Sequence, residues 1–440
     1  MSFNIGLSGL YAASKQLDVT GNNIANVATN GFKSSRAEFQ DVYSASKLGV
    51  GSKTVGNGVS LAAISQQFGQ GDVNNTGNVL DMAIQGQGFF VLSDNGSLSY
   101  TRAGAFQTSK DSYVVTSDGL RLQGYAADEN GKILTSSLTD LKIDTLSQPP
   151  KATSLVTQGI NLNSEATPIP LAPAGPTFVP TDETTYTKKF STEIYDTQGN
   201  KHTLEQYYRK TDQNTWTMYS LIDGRNPQNP ASDAPLVGSM TFKSDGSINT
   251  MTGSVAPDDS FSVVNNVFTV KGWIPATYNA TTGTWGSNGS AANPGGVRLD
   301  MSSTTSYNTD TARLPPTQDG YATGLLSSLS IDSSGVMFAS FSNQQSRAIG
   351  QVAIASFANE QGLEQMGGTR WKETFSSGSA GIDTPKTGTL GSISSNSLEE
   401  SNVNLTQELV ELVKAQSNYQ ANAKTISTQS SIMQTIIQMT

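Results

Sequence analysis

At 440 residues the chain is long enough for several domains, and a net charge of −9 without any run of Lys or Arg argues against binding to nucleic acid. Charged residues make up only 14% of the sequence, about half the usual share. The absence of cysteine excludes disulfides and thiolate metal sites. Low charge is typical of a surface buried against copies of itself, because unpaired buried charges are costly. A soluble β-rich domain with a neutral surface has the same composition.

Residues 1–35 begin with a predicted amphipathic helix. Its apolar and small residues alternate by four and three positions, which places them on one stripe. The stripe comprises Phe3, Leu7, Leu10, Ser14, Leu17, Gly21 and Ile24. The first residues lack the basic region and apolar core of a cleaved secretory signal, so we expect a cytoplasmic protein or export by another route. No segment reaches the ~20 apolar residues of a membrane span, and we expect no membrane insertion.

The middle of the chain is predicted to be rich in β-structure. Residues 36–80 are rich in Gly, Ser and Asn without a clear period, and we interpret them as an extended linker region. Farther along, turn clusters separate apolar and β-branched runs, which predicts antiparallel hairpins. Pro-rich passages at 148–150 and 314–316 mark domain borders. We therefore predict a β-rich domain from residues 81–148 and 321–390, with an outer β-rich domain, residues 151–320, inserted into it.

Residues 398–440 carry the strongest helical pattern. Apolar positions again alternate by four and three, the spacing of a coiled-coil seam. The stripe comprises Leu405, Leu409, Leu412, Gln416, Tyr419, Ala423, Ile426, Ser430, Met433 and Ile437. Asn404 or Thr406 is the expected N-cap, and Glu408 and Glu411 suit the positive end of the helix dipole. We predict that the N- and C-terminal helices pair as a coiled coil, which gives a multidomain α+β fold with mainly antiparallel β middle domains.

The sequence offers little for catalysis or for holding a metal or cofactor. His202 is the single histidine and follows a turn at 196–200, so we expect an exposed strand residue and not a member of a catalytic triad. Gly56-Asn57-Gly58 and Gly86-Gln87-Gly88 lack the third glycine of a phosphate-binding loop and are interpreted as tight turns. We predict no enzyme activity and no catalytic, cofactor or metal residues.

One segment is particular enough to indicate a family. Residues 17–33, Leu-Asp-Val-Thr-Gly-Asn-Asn-Ile-Ala-Asn-Val-Ala-Thr-Asn-Gly-Phe-Lys, resemble the N-terminal signature of bacterial flagellar rod, hook and hook-associated proteins. Asparagine side chains can bond the backbone where a helix ends, and Gly31 can end it in the left-handed conformation. Further segments at 69–71, 78–90, 100–106, 397–403 and 416–422 are similar to other motifs of the family. The resemblance covers roughly residues 1–125 and 345–440.

Length indicates the branch of the family, since its distal rod proteins lack an inserted domain of about 170 residues. The resemblance therefore implies a structural hook subunit that self-assembles into a curved hollow tube, a flexible joint transmitting torque from rod to filament. It implies a homopolymer whose partners are the distal rod, the hook cap, the hook–filament junction proteins and the type III export apparatus. The expected location is the basal body and hook of the flagellum, outside the cell. A distal rod subunit and a secreted β-rich adhesin are the alternatives.

The resemblance also assigns polymerisation to the terminal helices. We expect them to be poorly ordered before assembly, since one apolar stripe cannot stabilise a lone helix in water. The residues predicted to carry polymerisation are Leu7, Leu10, Leu17, Asn22, Asn23, Ile24, Asn26, Gly31, Leu405, Leu409, Leu412, Tyr419, Ile426, Met433 and Ile437.

Overall fold

The computed structural model describes residues 2–42, 56–128, 131–143, 147–253 and 260–439. Contacts between residues divide the chain into two compact units. Unit 1 comprises Met1–Thr145, Ser327–Ser340 and Ser346–Thr440, and unit 2 comprises Leu146–Leu326 and Phe341–Gln345. The predicted inserted domain, residues 151–320, lies inside unit 2, which also includes the Pro-rich borders and the short segment 341–345.

A helix stands at each end of the chain with strands between, which confirms the predicted fold class. From Ser2 to Asp140 the elements are α1 (Ser2–Ala25), β1 (Ser35–Asp41), β2 (Val59–Gln66), β3 (Val73–Asn75), β4 (Met82–Gln85), β5 (Phe89–Asp94), β6 (Ser97–Thr101), β7 (Gln107–Thr108), β8 (Val114–Val115), β9 (Arg121–Ala126) and β10 (Thr139–Asp140). From Leu155 to Gln318 they are β11 (Leu155–Thr157), β12 (Ile160–Asn161), β13 (Lys188–Tyr195), β14 (Lys201–Asp212), β15 (Thr215–Ile222), β16 (Leu236–Phe242), β17 (Ile248–Thr252), β18 (Phe261–Val264), β19 (Val267–Val270), β20 (Ala276–Asn279), β21 (Thr284–Ser287), β22 (Val297–Asp300), β23 (Ala312–Arg313) and β24 (Thr317–Gln318). From Leu326 onwards they are β25 (Leu326–Ile331), β26 (Val336–Phe341), β27 (Ser346–Val352), β28 (Ile354–Ser356), β29 (Glu364–Gly367), β30 (Arg370–Lys372), β31 (Gly381–Asp383), β32 (Ser392–Ser395), β33 (Ser397–Glu399) and α2 (Leu405–Met439).

The C-terminal helix begins where its expected N-cap places it, whereas the N-terminal helix ends earlier than predicted. α2 begins at Leu405, and residues 398 and 399, at the start of the predicted helical domain, belong to β33, which pairs with β3. Asn404 is the N-cap, since its Oδ1 accepts a hydrogen bond from the N–H of Gln407 at 3.1 Å. The N-terminal helix, α1, stops at Ala25, before Asn26 and Asn30 of the signature segment.

The strands of unit 1 form a large sheet with an aromatic cluster on it. Its main path runs β25-β26-β27-β9-β5-β6-β30-β29. The rings of Phe89 and Trp371 lie 5.5 Å apart, and those of Tyr100 and Phe357 lie 4.8 Å apart, both edge to face. Such contacts add to the stabilisation from buried area. The cluster therefore holds β5, β6 and β30 together, and β6 leads directly into the site described below.

Residues 36–80, predicted to be an extended linker, contain a strand pair that the prediction missed. β1 and β2 are antiparallel, with Phe39 opposite Leu61. The N–H of Val59 donates to Ser8 Oγ at 3.3 Å, which joins the start of β2 to α1. The segment between the strands, residues 43–55, lies outside the described residues. The apolar and β-branched residues of β2 outweigh the Gly and Ser that surround it.

Unit 2 is built around two five-stranded sheets. One has the order β13-β14-β15-β16-β17 and is antiparallel. The other has the order β18-β19-β22-β11-β24, in which β11 and β22 run parallel. Tyr208 and Trp216 from the first sheet and Phe268 and Leu299 from the second belong to one fully buried cluster. The inserted unit therefore has a hydrophobic core of its own.

His202 is buried, so the prediction of an exposed strand residue was wrong. Its Nδ1 lies 2.6 Å from Oδ2 of Asp223, and its Nε2 lies 3.3 Å from Oδ2 of Asp196. The carboxylate of Asp196 also accepts hydrogen bonds from Asn200 and Asn288. The turn after β13 thus folds its carboxylate over the ring, a contact that the local sequence pattern does not reveal.

The two carboxylates favour the charged form of His202. Burial disfavours the charge, but the hydrogen bonds and charges of Asp223 and Asp196 outweigh burial and raise the pKa of His202. A neutral imidazole carries one N–H and can donate to only one carboxylate at a time. A raised pKa in the folded state stabilises unit 2 below the unfolded pKa, and that stabilisation is lost as the pH rises through the folded pKa.

We predict that the free energy of unfolding falls as the pH rises from about 6, just below the ordinary histidine pKa, to above the raised value. His202→Gln retains a donor and removes the titrating group, so its stability should change less over the same range. Urea denaturation of the full chain at several pH values, followed by tryptophan fluorescence, gives the comparison. Equal pH dependence in both proteins would contradict the assignment.

Candidate functional site

Three ionic side chains from distant segments meet inside unit 1. We call Lys33, Arg102 and Glu399 the ionic cluster. Glu399 in β33 is fully buried, and its Oε1 accepts from Lys33 Nζ at 2.6 Å. Its Oε2 accepts from Arg102 Nη1 at 3.2 Å. A buried carboxylate needs such partners, because removing an unpaired charge from water is costly.

The rest of the cluster's hydrogen-bonding capacity is met mainly by backbone groups. Lys33 Nζ donates to the carbonyl of Gly69 at 2.8 Å, and Arg102 Nη2 donates to the carbonyl of Gly86 at 2.7 Å. Burial lowers the pKa of Lys33, and the neighbouring Glu399 carboxylate opposes that shift. Five of the segments that resemble the family motifs, including residues 69–71 and 78–90, therefore converge on one buried carboxylate.

Gly31 brings the end of the signature against this cluster. Its N–H donates to the backbone carbonyl of Glu399 at 2.8 Å. Its φ is +68°, and a Cβ there would lie 2.4 Å from the nitrogen of Ala103. A side chain is excluded both by this close approach and by the left-handed conformation. The prediction that Gly31 ends the helix was wrong, since α1 stops at Ala25; its left-handed conformation instead allows two backbone segments to touch.

The signature asparagines bond backbone groups, as expected. Asn23 is buried; it donates to the carbonyl of Ser35 at 2.8 Å and accepts from the N–H of the same residue at 2.9 Å. Asn26 donates to the carbonyl of Asn22 at 2.9 Å and accepts from Thr29 at 3.2 Å. These bonds shape the turn by which the chain leaves α1 and enters β1.

The two terminal helices run antiparallel and meet along small and polar residues. A Cβ at Gly9 would lie 2.5 Å from Oδ1 of Asn422, so the backbone of α1 approaches α2 closely there. Gln16 donates to Glu411 at 3.2 Å nearer the other end of the pair. The α1 side of this seam comprises Gly6, Gly9, Ala13, Gln16, Thr20 and Asn23.

Each of these positions lies one residue before a position of the predicted stripe. On α2 the offset recurs, since the contacting or buried residues are Glu408, Glu411, Ala415, Asn422 and Ile426, of which only the last belonged to the predicted stripe. The prediction that the two apolar stripes mate within one chain was therefore wrong by one residue. Small side chains let the helix axes come close, and hydrophobicity alone does not reveal that preference.

The structure distributes the predicted polymerisation residues over three environments. Asn23 and Gly31 are buried. The half-buried residues are Leu7, Leu10, Leu17, Ile24, Asn26, Leu412 and Ile426. The exposed residues are Asn22, Leu405, Leu409, Tyr419, Met433 and Ile437. Most of the predicted polymerisation residues of α2 are thus exposed to solvent.

Glu408 and Glu411 lie on the contacting face of α2, in addition to suiting the helix dipole. Asn23 Nδ2 donates to Glu408 Oε1 at 3.2 Å. Burial raises the pKa of Glu408, and the hydrogen bond from Asn23 opposes the shift. This end of the helix seam is polar and therefore contributes little hydrophobic stabilisation.

The far end of α2 extends past α1. Because Gly6 lies against Ile426, the last turns of α2 lie beyond the start of α1. They carry Ile432, Met433, Ile436 and Ile437, which are 48–70% exposed. We define the apolar stripe of α2 as Leu405, Leu409, Val413, Tyr419 and these four residues.

The sequence identified the family-like motifs but did not predict that their charged residues form the ionic cluster. Lys33, Arg102 and Glu399 lie far apart in the sequence, and nothing in the motifs states which charges pair. One signal was present: in a chain with 14% charged residues, a charge inside each of three family-like motifs is conspicuous. Among the described residues, no group of three or more His, Asp or Glu side chains could hold a metal, and no helix is long and apolar enough to span a membrane.

We predict that Glu399→Gln lowers the free energy of unfolding of unit 1 by about 3–5 kcal/mol, because it leaves two buried cations without a counter-charge. The matched control is Glu400→Gln, an exposed neighbour whose side chain accepts a hydrogen bond from Asn74. It should cost less than about 1 kcal/mol. Denaturation followed by ¹⁹F NMR of the 5-fluorotryptophan-labelled proteins, which separates Trp371 from the three tryptophans of unit 2, compares the two. Equal losses would show that the ionic cluster is not the anchor of the fold.

Four family models match successive parts of the chain. The model for the flagella basal body rod protein matches residues 3–33, and the model for the C-terminal region of the flagellar basal body rod FlgEFG proteins matches residues 394–439. Between them, the flagellar hook protein FlgE/F/G D1 domain matches residues 83–176, and the flagellar basal body protein FlaE D2 domain matches residues 161–321. The three members of the ionic cluster fall in three different models.

Curated relatives match over the full length. The flagellar hook protein FlgE of Escherichia coli K12 is 36% identical and that of Salmonella typhimurium LT2 is also 36% identical, each with 100% of both chains covered. FlgE of Borreliella burgdorferi is 31% identical over 99% of this chain and 98% of the relative. The crystal structure of Helicobacter pylori flagellar hook protein FlgE2 aligns with a TM-score of 0.46 at 15% identity, over 68% of this chain and 94% of that chain. These relatives favour neither the distal rod nor the adhesin alternative, and the chain belongs to the flagellar hook protein family, whose members are structural subunits of the bacterial flagellar hook.

Proposed function

We propose that copies of this chain polymerise by burying the apolar stripe of α2, together with the exposed apolar residues of α1, against neighbouring copies. The product is a curved hollow tube that transmits torque from rod to filament as a flexible joint. The chain acts through assembly and carries out no catalysis. The observation that supports this most directly is the one-residue offset of the helix seam, which leaves apolar side chains exposed on the outside of the pair.

The energetics favour assembly over the isolated helix pair. Within one chain, the pair buries mainly small and polar side chains, so it gains little from the hydrophobic effect. Leu409 is 45% exposed, Val413 61% and Ile437 70%. Full burial of a side chain of this kind contributes roughly 1.5–3 kcal/mol. Several per copy offset the conformational entropy lost when the helices are fixed in a tube.

The low charge of the chain supports a joint that bends. Neutral hydrogen-bonding groups have shorter-ranged interactions than charges, and exchanging one neutral contact for another avoids leaving a buried charge unpaired. We propose that contacts of unit 2 between copies change as the tube bends, whereas the helices form the permanent contacts. Cross-linking unit 2 between copies would test this directly, since a tube that still bends freely would rule it out.

The partners follow from a place in the flagellum. We propose that the distal rod lies at one end of the polymer, and the hook cap or the hook–filament junction proteins at the other. Export would proceed through the type III apparatus without a cleaved signal, to a final location in the hook outside the cell. Gly6 packs against Ile426, so the beginning of α1 is part of the folded helix pair, which supports a segment that is retained.

His202 has both ring nitrogens directed at carboxylates, which supports a structural role for this residue and not a catalytic one.

We predict that Leu409→Glu prevents tube formation or raises the critical concentration at least about tenfold, because it places a charge in the buried stripe. Gln407→Glu is the matched control; like Leu409→Glu it adds one negative charge at an exposed position of α2, but outside the stripe. Purified full-length proteins would be polymerised in sulfate, which strengthens apolar burial, and quantified by sedimentation and electron microscopy. Curved tubes from the wild type and the control support the proposal. Tubes from all three at equal concentrations, or from none, would refute it.

A further inference from the structure

Phe375 is the most exposed large apolar side chain among the described residues, with a relative exposure of 104%. It lies in the turn that follows β30, within unit 1. An exposed ring contributes nothing to the hydrophobic core of its own chain. Phenylalanine is enriched at the centres of protein interfaces, where it supplies a large area with few rotatable bonds.

The turn that presents Phe375 is held by an unusually complete set of hydrogen bonds. Thr374 Oγ1 donates to the carbonyl of Gly362 at 2.5 Å and accepts from the N–H of Ser376 at 3.1 Å. Ser377, fully buried, accepts from the N–H of Thr374 at 2.9 Å. The backbone on both sides of the ring is therefore fixed before any partner arrives, which lowers the entropy lost on binding.

The turn also packs tightly on the rest of unit 1. Asn359 Nδ2 donates to the carbonyl of Ser376 at 3.0 Å. A Cβ at Gly362 would lie 2.5 Å from the nitrogen of Ser377, so only glycine fits beneath the turn. The side chain of Phe375 itself is fully exposed. This is the arrangement of a rigid anchor that projects from the surface.

A recess on unit 1 is lined by polar residues and by two aromatic ones, partly from β29 and β30. It has a volume of about 270 Å³ and is lined by Asn26, Phe32, Gln365, Gly367, Arg370 and Trp371, among others. A cavity of about 150 Å³ is sufficient to hold benzene, so the recess has room for a phenyl ring. Phe32 lies in its lining beside the guanidinium-bearing Arg370, a residue type that makes cation–π contacts with aromatic rings.

We propose that Phe375 of one copy inserts into this recess on the neighbouring copy in the polymer. The inference rests on the proposed function, since polymerisation is what brings a second copy to this surface. An anchor on one patch and a recess on another make a heterologous contact, which repeats from copy to copy and generates an open helical assembly. The recess lies against the signature segment, so the contact would join the β-sheet of one copy to the base of α1 in the next.

A photo-cross-linking experiment tests the contact. p-Benzoylphenylalanine would replace Phe375 in the full chain, which keeps an aromatic ring at the position. These copies would be co-polymerised with ¹⁵N-labelled wild-type chains, irradiated, and digested for mass spectrometry. The same photo-reactive residue at Asp94, the exposed last residue of β5 in unit 1, is the control.

The expected adduct joins position 375 to a labelled peptide from residues 22–33 or 364–371, and it is absent from the control. Adducts at other sites, or only within the unlabelled chain, would overturn the contact and leave polymerisation by the helices intact. Phe375→Ala gives a second readout: its critical concentration should rise about tenfold or more, whereas Ser376→Ala should match the wild type. Equal values for these two variants would also overturn it. A wild-type chain that never polymerises would instead remove the proposed function and this contact together.

Discussion

The buried carboxylate of Glu399 is the constraint on which the architecture of unit 1 depends. It lies in the strand just before α2, whereas Lys33 lies just after α1 and Arg102 follows β6. Neither cation can be buried at an acceptable free energy without the carboxylate, nor the carboxylate without a cation. Formation of the cluster therefore requires both chain ends and the β-sheet at once, and the close approach at Gly31 completes the joint. The two helices leave this joint from fixed starting points.

Beyond the joint, the chain changes character. The helix seam contains glycine, alanine and polar residues, and the leucines of both helices lie beside it, half-buried or exposed. Such a seam sets the direction of two helices without stabilising them strongly. We therefore propose a division within unit 1 between a base fixed by buried charges and aromatic rings, and helices that neighbouring copies would stabilise. For a subunit exported before it polymerises, as proposed, this division would leave the apolar surface of the helices to be buried on assembly.

Sequence periodicity predicted both helices, their pairing and the β-rich insertion, because these depend on local patterns. Periodicity placed the contacting face of each helix one residue away from its observed position. Leucine dominates any hydrophobic pattern, whereas close contact between helices selects small residues such as Gly9 and Ala13. The ionic cluster was beyond reach, because the partner of Lys33 lies 366 residues away. The predicted exposure of His202 was wrong for the same reason, because its burial depends on Asp223, which follows the end of another strand. The pairing of β1 with β2 was hidden by the Gly- and Ser-rich composition around it.

Hydrogen–deuterium exchange of the full chain, as monomer and as polymer, tests the central division most directly. The account predicts slow exchange at residues 31–33 and 397–399 in both states, because the ionic cluster is formed in each. It predicts fast exchange along α2 in the monomer, where stability is low, and strong protection after assembly. Equal protection of α2 in both states, or rapid exchange around Glu399 in the monomer, would contradict it.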